Sequence, residues 1–310
     1  MSTIDRFLTL LNFTTSLDAY CAMCAPYDLP HEALEPGNIY FHILLAGQCT
    51  LITDSGHTQT LHPGDFYLLT SGEAHTMRDG DTSHGQRSVY DIDHDGLWHT
   101  CNLDGSAPPD MEMLCGFFHT DNPASLALLQ QFPQPYCVSL RDHGELDALC
   151  AVIRNEALAQ SAGSVRVIHH LCEILLLFAL RRAGELHVEN NMLALLGDPA
   201  LERVLAHVLA DITQNHSTEA LADVACLSRA TFARRFQKAA GCGVQTFIRS
   251  LRMMEAARLL KDSTLPVSHI AERCGYQSDT AFHDNFRAQF GVTPAKYRRE
   301  CGNKKTQEGE

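Results

Sequence analysis

A pair of cysteines near the start of the chain could bind a metal ion or take part in redox chemistry. Cys21 and Cys24 form a C-x-x-C pattern, and His31 follows seven residues after Cys24. Such a pair is typical of part of a zinc site, of a redox-active dithiol or of ordinary buried sulfur. The motif supplies only two of the four ligands that zinc usually takes. It is not surrounded by the βαβ pattern that would favour a thioredoxin-like role. On this motif alone, the three alternatives stay open.

The composition predicts a folded protein of two domains that does not enter membranes. The chain has 310 residues, 45% hydrophobic and 20% charged, which suits two cores and is too apolar for a disordered protein. The first residues carry charges within a short apolar run and lack the pattern of a signal peptide. The longest apolar run, 171–180, is about half of a membrane span. We therefore expect a cytoplasmic protein without a membrane partner, whose twelve cysteines are mostly reduced.

Charge is distributed unevenly along the chain. Residues 1–197 contain 24 acidic residues, 8 arginines and no lysine, whereas residues 198–310 contain 16 basic and 13 acidic residues. Between Arg229 and Arg299 the excess of basic residues rises to eight. An acidic first part joined to a locally basic last part predicts that only the last part meets a polyanion such as double-stranded DNA.

The hydrophobic pattern changes its period along the chain. Residues 38–120 contain short aromatic and β-branched runs separated by turn residues, which predicts strands of a sandwich or barrel. From about residue 144 the period is helical, a hinge is expected over 187–199, and everything after Pro199 is predicted to be helical.

The last part contains an internal repeat with an offset of fifty residues. The matched pairs are Ser228 and Ser278, Phe232 and Phe282, Phe236 and Phe286, Gly241 and Gly291, Phe247 and Tyr297, and Arg249 and Arg299. Each unit has a serine suited to capping a helix, two phenylalanines that bury one helix face, and a glycine that ends the helix. A shorter helix is predicted before each serine. The pattern therefore predicts two helix-turn-helix motifs in tandem.

The segment AERCGYQSDTAFHDNFRAQFGVTPAKYRR, residues 271–299, resembles the second motif of the AraC family of bacterial transcription regulators. The positions that match are Ala271, Gly275, Tyr276, Phe282, Phe286, the run FGVTP at 290–294, Tyr297 and Arg298. The resemblance implies that promoter DNA and RNA polymerase are partners of this chain.

The N-terminal part resembles a cupin sensor domain, in the branch that includes the reactive-chlorine-responsive AraC-type activator. The match rests on Cys21, LPH at 29–31, His42, Gly47, LHPGDFYLL at 61–69, His75 and the pair Cys115-Gly116. It departs from that branch at residues 79–112, an insertion rich in Asp, Gly and His.

Together the two resemblances imply a two-domain α+β chain. A cupin-type β-barrel or sandwich is expected over 1–140, and a helical connector that forms a dimer over 141–197. An all-α AraC-type DNA-binding domain with two helix-turn-helix motifs is expected over 198–310.

Helical geometry selects the residues that would meet DNA. If the second helix of each motif begins at Arg229 and at Asp279, a rotation of about 100° per residue buries the phenylalanines and turns the opposite face outward. Outward residues near the start of such a helix contact base edges in the major groove. The predicted set is Arg229, Thr231, Arg234, Arg235, Ser278, Asp279, Thr280, His283 and Arg287.

Roles within the DNA-binding part follow from side-chain chemistry. Arg229 and Arg234 are candidates for guanine, and Asp284 for the amino group of cytosine. A second group is expected to contact phosphates or to support the fold: Arg235, Lys238, Arg252 and Arg298.

The cupin-like part offers cysteines and histidines for sensing. The metal set of cupin enzymes is incomplete, with His42 in the region of the first motif and His75 at the second. The resemblance implies Cys21 and Cys115 as redox sensors. The same thiols with His42 and His75 would complete a site for zinc or another transition metal, and His31 is a further candidate. Inert packing of the sulfurs is the third alternative.

Three functions are compatible with these observations. The first is a non-enzymatic DNA-binding regulator that senses an oxidant or a metal and works as a homodimer. The second has the same architecture with a small organic effector in the cupin pocket. The third, a cupin enzyme fused to a DNA-binding module, is disfavoured by the incomplete metal motif. The dimer is predicted to use the apolar helix 164–184, with a stripe of Leu171, Ile174, Leu175 and Phe178.

Overall fold

The chain forms two compact units. The computed structural model describes residues 3–11, 13–79, 91–92, 98–101, 108–123, 125–126, 136–141, 144, 146–159, 161–185 and 193–307. One unit consists of Thr14–His119 and Pro133–Ala183, and the other of Met1–Phe13, Thr120–Phe132 and Gly184–Glu310. We call them the β unit and the helical unit. Most of the 79–112 insertion and residues 187–192 of the expected hinge lie outside the described residues.

The β unit is built from two sheets. Its described strands are β1 (Thr14–Met23), β2 (Tyr27–His31), β3 (Asn38–Gly47), β4 (Cys49–Thr53), β5 (Thr58–Leu61), β6 (Asp65–Leu69), β7 (His75–Asp79), β8 (Asp91–Ile92), β9 (Trp98–Cys101), β10 (Met111–His119) and β11 (Tyr136–Ser139). The larger sheet has the order β11-β6-β3-β10-β1-β9-β8, and the smaller has the order β2-β7-β4-β5. Neighbouring strands are antiparallel except β1 and β9, which are parallel.

The core of the β unit contains side chains from both sheets. Successive side chains in a strand point to opposite faces, so every second residue of β1, β3 and β10 shares a face. The residues of these strands in the core cluster are Ala19, Cys21, Met23, Tyr40, Leu44, Met111, Met113 and Cys115. Leu29, Leu51 and Met77 of the smaller sheet belong to the same cluster. The expected cupin-type sandwich is therefore confirmed.

Two helices, α2 (Leu146–Ala159) and α3 (Ser164–Glu185), belong to the β unit and contact the larger sheet. Arg154 of α2 forms an ion pair with Glu112 of β10, which also accepts a hydrogen bond from Tyr20 at 2.8 Å. The hydroxyl of Tyr136 donates to the carbonyl oxygen of Ala179 in α3 at 3.4 Å. These contacts tie the helices to the face of the sheet that is turned away from the core cluster.

The helical unit contains the remaining described helices. They are α1 (Thr3–Leu11), α4 (Leu193–Gly197), α5 (Pro199–Ala210), α6 (Thr218–Val224), α7 (Arg229–Ala240), α8 (Val244–Asp262), α9 (Val267–Arg273), α10 (Asp279–Phe290) and α11 (Pro294–Gln307). The helix-turn-helix motifs are α6–α7 and α9–α10. The long helix α8 links them in the chain and contacts α7, α9, α10 and α11.

The two recognition helices, α7 and α10, begin and end as the repeat predicts. Ser228 caps α7 by accepting a hydrogen bond from the backbone N–H of Thr231, and Ser278 caps α10 in the same way. Gly241 and Gly291 end these helices with φ of 70°, a conformation that favours glycine because it has no Cβ. Local sequence signals thus determine where both helices begin and end.

Other features differ from the expectations. Strands β1, β2 and β11 lie outside the segment predicted to be strands, because tertiary pairing with β10, β7 and β6 stabilises them. Residues 193–197 of the expected hinge form helix α4. Residues 3–11 and the segment after β10 group with the helical unit, whereas α2 and α3 group with the β unit. Among the described helices, none has the length and apolar character needed to cross a membrane.

Candidate sensor site and nucleic-acid interface

Cys21 and Cys115 contact each other inside the β unit. They lie on the neighbouring antiparallel strands β1 and β10, where Cys21 faces Met113 and Cys115 faces Ala19. The cysteines are therefore diagonal neighbours on one face of the sheet. Their Sγ atoms are 3.8 Å apart, and both side chains are 0% exposed. Cys24 follows the end of β1 and is half-buried, so the C-x-x-C pattern spans the end of a strand.

Three histidines lie on the strands around this pair. His42 of β3 is the direct antiparallel partner of Cys115, and His31 of β2 is the direct partner of His75 in β7. The first pair belongs to the larger sheet and the second to the smaller sheet. The Nε2 atoms of His42 and His75 are 2.8 Å apart, and the rings of His31 and His75 stack with centroids 4.6 Å apart. The histidines therefore join the inner faces of both sheets.

These residues form one cluster, which we call the Cys/His cluster: Cys21, His31, His42, His75 and Cys115. One ring nitrogen of His31, one of His42 and the Sγ atom of Cys115 all lie within 4.8 Å of one another. The structure thus brings together the four predicted sensor residues, and it places the further candidate His31 beside them. The direct pairing of His31 with His75 depends on the register of two strands far apart in sequence.

Hydrogen bonds in the Cys/His cluster determine which histidine nitrogens carry protons. Nδ1 of His75 lies 3.2 Å from the carbonyl oxygen of Glu73, so this nitrogen donates. In a neutral ring, Nε2 of His75 then accepts from Nε2 of His42, and Nδ1 of His42 carries a lone pair. His42 is 0% exposed, and its Nδ1 has no hydrogen-bond partner among the residues that the structure describes.

Two histidines of the cluster, His42 and His75, are held in the neutral form. Burial lowers the pKa of His42 well below its ordinary value, and the neighbouring His75 and His31 lower it further. Burial also lowers the pKa of His75, although the contacts with Glu73 oppose the change. A neutral imidazole supplies no positive charge to a nearby thiolate, but it is a good metal ligand. The cluster therefore suits metal or thiol chemistry rather than acid–base chemistry.

The outer faces of the recognition helices α7 and α10 present most of the predicted DNA-contacting residues. Phe232, Phe236, Phe282 and Phe286 are buried. The exposed members of the predicted set are Arg229, Arg234, Arg235, Ser278, Asp279, Thr280, His283 and Arg287, and Thr231 is half-buried. Asp284, the residue suggested for cytosine, is also exposed. The hydroxyl of Thr231 accepts a hydrogen bond from Ser228 at 2.9 Å, which ties it to the helix cap.

The predicted arginines of α7 have different surroundings. Arg229 forms an ion pair with Glu219 of α6 at 2.9 Å, and Arg235 forms one with Asp198, the capping residue of α5. Arg234 is exposed and forms no ion pair with the described part of the chain. Arg235 therefore supports the packing of α7 on α5, while Arg234 is available for a base.

Two further arginines have structural contacts. Arg252 of α8 donates to the carbonyl oxygens of Ile212 at 3.0 Å and Gln214 at 2.7 Å. Arg298 of α11 donates to the carbonyl oxygen of Leu265 at 2.6 Å. Arginines of this group are expected either to contact phosphates or to support the fold. These backbone contacts agree with support of the fold.

Comparison with known proteins agrees with both parts of this description. The family model described as Cupin matches residues 3–185, and the model described as Helix-turn-helix domain matches residues 221–300. The chain is 29% identical to the RCS-specific HTH-type transcriptional activator RclR of Escherichia coli K12, over 96% of this chain and 97% of that protein. It is 28% identical to an uncharacterized HTH-type transcriptional regulator of Haemophilus influenzae, over 96% and 99%.

A solved structure with a similar last part is the DNA-binding domain of AdpA in complex with a target DNA. It is 36% identical, covers 36% of this chain and 98% of its own, and superposes with a TM-score of 0.34. The Cupin match alone spans more than half of the chain, and the helix-turn-helix match covers both recognition helices. The chain is therefore a member of the AraC family of transcription regulators, with an N-terminal cupin domain and a C-terminal helix-turn-helix DNA-binding domain.

Proposed function

We propose that this regulator senses an oxidant of the reactive-chlorine type through Cys21 and Cys115 and converts the signal into a change at a promoter. The observation that carries the proposal is the 3.8 Å contact between the two Sγ atoms. RclR, which is similar over nearly the whole chain, bears the description RCS-specific activator. The proposal transfers that specificity to this chain through two cysteines that are neighbours in the fold.

Oxidation of the pair is chemically simple. Two thiols and one molecule of hypochlorous acid give a disulfide, chloride, a proton and water. The Sγ atoms must approach from 3.8 Å to about 2.05 Å, the length of a disulfide bond. Because both side chains are fully buried, small uncharged oxidants reach them more readily than large or charged ones. The new bond would pull β1 and β10 together at one point.

The strands that carry the cysteines lead directly into the helical unit. Thr14 and His119 are paired at one end of β1 and β10. From that end the chain continues to α1 on one side and to residues 120–126 on the other, and both segments belong to the helical unit. There, Lys261 of α8 donates to Asp121 at 2.7 Å, and Asn122 donates to the carbonyl oxygen of Met254 at 3.3 Å. We propose that a change in β1 and β10 reaches the DNA-binding part through these two connections.

The two other functions have weaker support. An organic effector between the sheets would have to displace side chains such as Tyr67, Met77 and Met113, which are fully buried. An enzyme is disfavoured because the relatives that span the whole chain are described as transcriptional regulators. We therefore infer a non-enzymatic regulator.

The remaining features of the proposal concern location and partners. We propose that the protein acts in the cytoplasm, binds double-stranded promoter DNA and works there with RNA polymerase. We also propose a homodimer, because α2 and α3 expose several large apolar side chains: Val152, Leu158, Val165, Val167 and Ile174. Of the stripe predicted from the sequence, Ile174 is exposed, but Leu175 is fully buried in its own unit, so it cannot contribute to such an interface.

The test is a reporter assay with a promoter that the wild-type protein selects from random DNA. We expect hypochlorous acid to change the output severalfold with the wild-type protein and to leave it unchanged with the double variant Cys21→Ser, Cys115→Ser. The matched control replaces two buried cysteines elsewhere, Cys172→Ser and Cys274→Ser, and should respond as the wild type does. A Cys21, Cys115 double variant with the wild-type response would refute the sensor, and an organic effector would then be the better account.

A further inference from the structure

Three members of the Cys/His cluster, His31, His42 and Cys115, lie close enough together to hold one metal ion, and Cys21 contacts the third of them. Zinc takes thiolates at about 2.3 Å and imidazole nitrogens at about 2.0–2.1 Å, so two thiolates on one tetrahedral ion are about 3.8 Å apart. The Sγ atoms of Cys21 and Cys115 are separated by 3.8 Å. Ring nitrogens of His31 and His42 lie within 4.8 Å of the Cys115 sulfur and of each other.

Nδ1 of His42 provides an independent reason to expect a bound ion. This atom is buried, carries a lone pair in the tautomer set by His75 and has no hydrogen-bond partner in the described part of the chain. A buried polar atom without a partner costs about 1–3 kcal/mol. A metal ion at Nδ1 removes that cost, while Nε2–H of His42 keeps its contact with His75.

The contacts of His75 fit a supporting role outside the ligand set. Metal-binding histidines usually donate their second ring N–H to an acceptor that fixes their orientation. Here the Nε2 atoms of His42 and His75 are 2.8 Å apart, and His75 is held in turn by the carbonyl oxygen of Glu73 at 3.2 Å. His75 is thus a positioning residue for His42.

The summed charge of the four ligands favours a divalent cation. Two thiolates and two neutral imidazoles balance a divalent cation, so the buried site carries no net charge. Sulfur and imidazole ligands in tetrahedral arrangement are typical of zinc.

We infer that Cys21, Cys115, His31 and His42 bind one zinc ion between the two sheets of the cupin domain, with His75 positioning His42. The inference deepens the proposed function, on which it rests for the consequence of oxidation. A bound metal deprotonates its thiol ligands outright, and so supplies thiolate character to both cysteines.

The zinc site also defines the oxidation step. The two thiolates give two electrons to one molecule of hypochlorous acid, the O–Cl bond breaks, and the S–S bond forms. Chloride and hydroxide leave, and the zinc ion, which has lost two ligands, is released. The signal would then consist of a new covalent bond and the loss of an ion at the same place.

The first experiment measures zinc and cobalt binding by the full chain purified without chelator. We expect one zinc per chain, and, after exchange, a thiolate-to-cobalt charge-transfer absorption. Cys115→Ser and His42→Ala should weaken binding by more than about 100-fold, because loss of an outer contact alone typically costs about 10- to 100-fold. The controls, His62→Gln on the surface of the β unit and Cys172→Ser in α3, should bind as the wild type does.

His75→Ala separates a ligand from a positioning residue. It should weaken zinc binding by about 10- to 100-fold and keep the charge-transfer absorption. Circular dichroism shows whether each variant is folded, and cobalt spectra of folded variants decide the ligand set. Substoichiometric zinc in the wild type, or wild-type affinity in Cys115→Ser, would overturn the inference.

Oxidation then distinguishes the zinc inference from the proposed function. Hypochlorous acid should release one zinc as two thiols disappear. If zinc-free protein still gives an oxidant response that depends on Cys21 and Cys115, the proposed function stands and the zinc inference fails. If zinc binds but the promoter does not respond to the oxidant, the zinc site stands and the oxidant sensor fails.

Discussion

His42 and Cys115 are direct partners across the antiparallel strands β3 and β10. This pairing places an imidazole beside a thiol whose other neighbour is the thiol of Cys21, at 3.8 Å. The chain continues from strand β10 into residues 120–123, which belong to the helical unit. One strand therefore carries Cys115 and leads along the chain into the helical unit.

Arg234→Ala should reduce sequence-specific DNA binding. Arg234 is exposed on the recognition helix α7 and forms no ion pair with the described residues, so it is available to a base. We expect a loss of about 1–3 kcal/mol on the preferred site and a relaxed preference at one base pair. The control Lys296→Ala removes one exposed positive charge outside the recognition helices. Equal losses on preferred and random DNA would show that Arg234 contacts only phosphate.

Asp121→Asn should weaken the coupling between oxidant and promoter while DNA binding persists. The ion pair between Asp121 and Lys261 is partly buried at 2.7 Å, and its loss should cost about 1 kcal/mol, which changes a two-state ratio about fivefold. The reporter dose–response should flatten or shift, and gel-shift affinity should stay near wild type. Glu300→Gln, which removes the exposed pair with Lys296, is the control. An unchanged dose–response in Asp121→Asn would exclude this connection.

Leu158→Glu should dissociate the proposed homodimer. Leu158 of α2 is 65% exposed, and a carboxylate placed in an apolar interface loses its water. We expect dimerisation at least about tenfold weaker in sedimentation equilibrium. Thr60→Glu, on exposed strand β5, adds the same charge elsewhere and should dimerise as the wild type does. A wild-type protein that sediments as a monomer at micromolar concentration, with and without DNA, contradicts the proposal.

Buried cysteines outside the cluster should not react at neutral pH. Burial raises the pKa of the Cys172 and Cys274 thiols to about 12, so the reactive thiolate is present at about one part in 10⁵ at pH 7. Because the raised pKa keeps them protonated, their reactivity should increase only as the pH rises towards 12. Cys226 is exposed and should be labelled by iodoacetamide first. Mass spectrometry after brief native labelling checks the order, and Cys172 labelled as fast as Cys226 would contradict it.

The recognition helices could be predicted to the residue because their signals are local. Ser228 and Ser278 are caps, and Gly241 and Gly291 are left-handed ends, so that each cap is followed by its terminal glycine 13 positions later. Such signals act within a single helix, so they do not depend on the rest of the fold.

Long-range relations in the candidate site could be predicted only in part. The resemblance included Cys21, His31, His42, His75 and Cys115, but the pairing of His31 with His75 depends on strand register in the smaller sheet. Likewise, the ion pair between Arg235 and Asp198 joins residues 37 positions apart, which the helix pattern cannot reveal. The burial of Leu175 depends on what α3 packs against, and periodicity does not identify that surface.

The most direct measurement of the central claim is a disulfide map of the full-length protein after treatment with hypochlorous acid at a dose that changes promoter output. Non-reduced peptide mapping by mass spectrometry should find Cys21 joined to Cys115 in proportion to the change in output. Cys172 and Cys274 should remain reduced. If output changes fully while Cys21 and Cys115 both remain thiols, the pair is not the sensor.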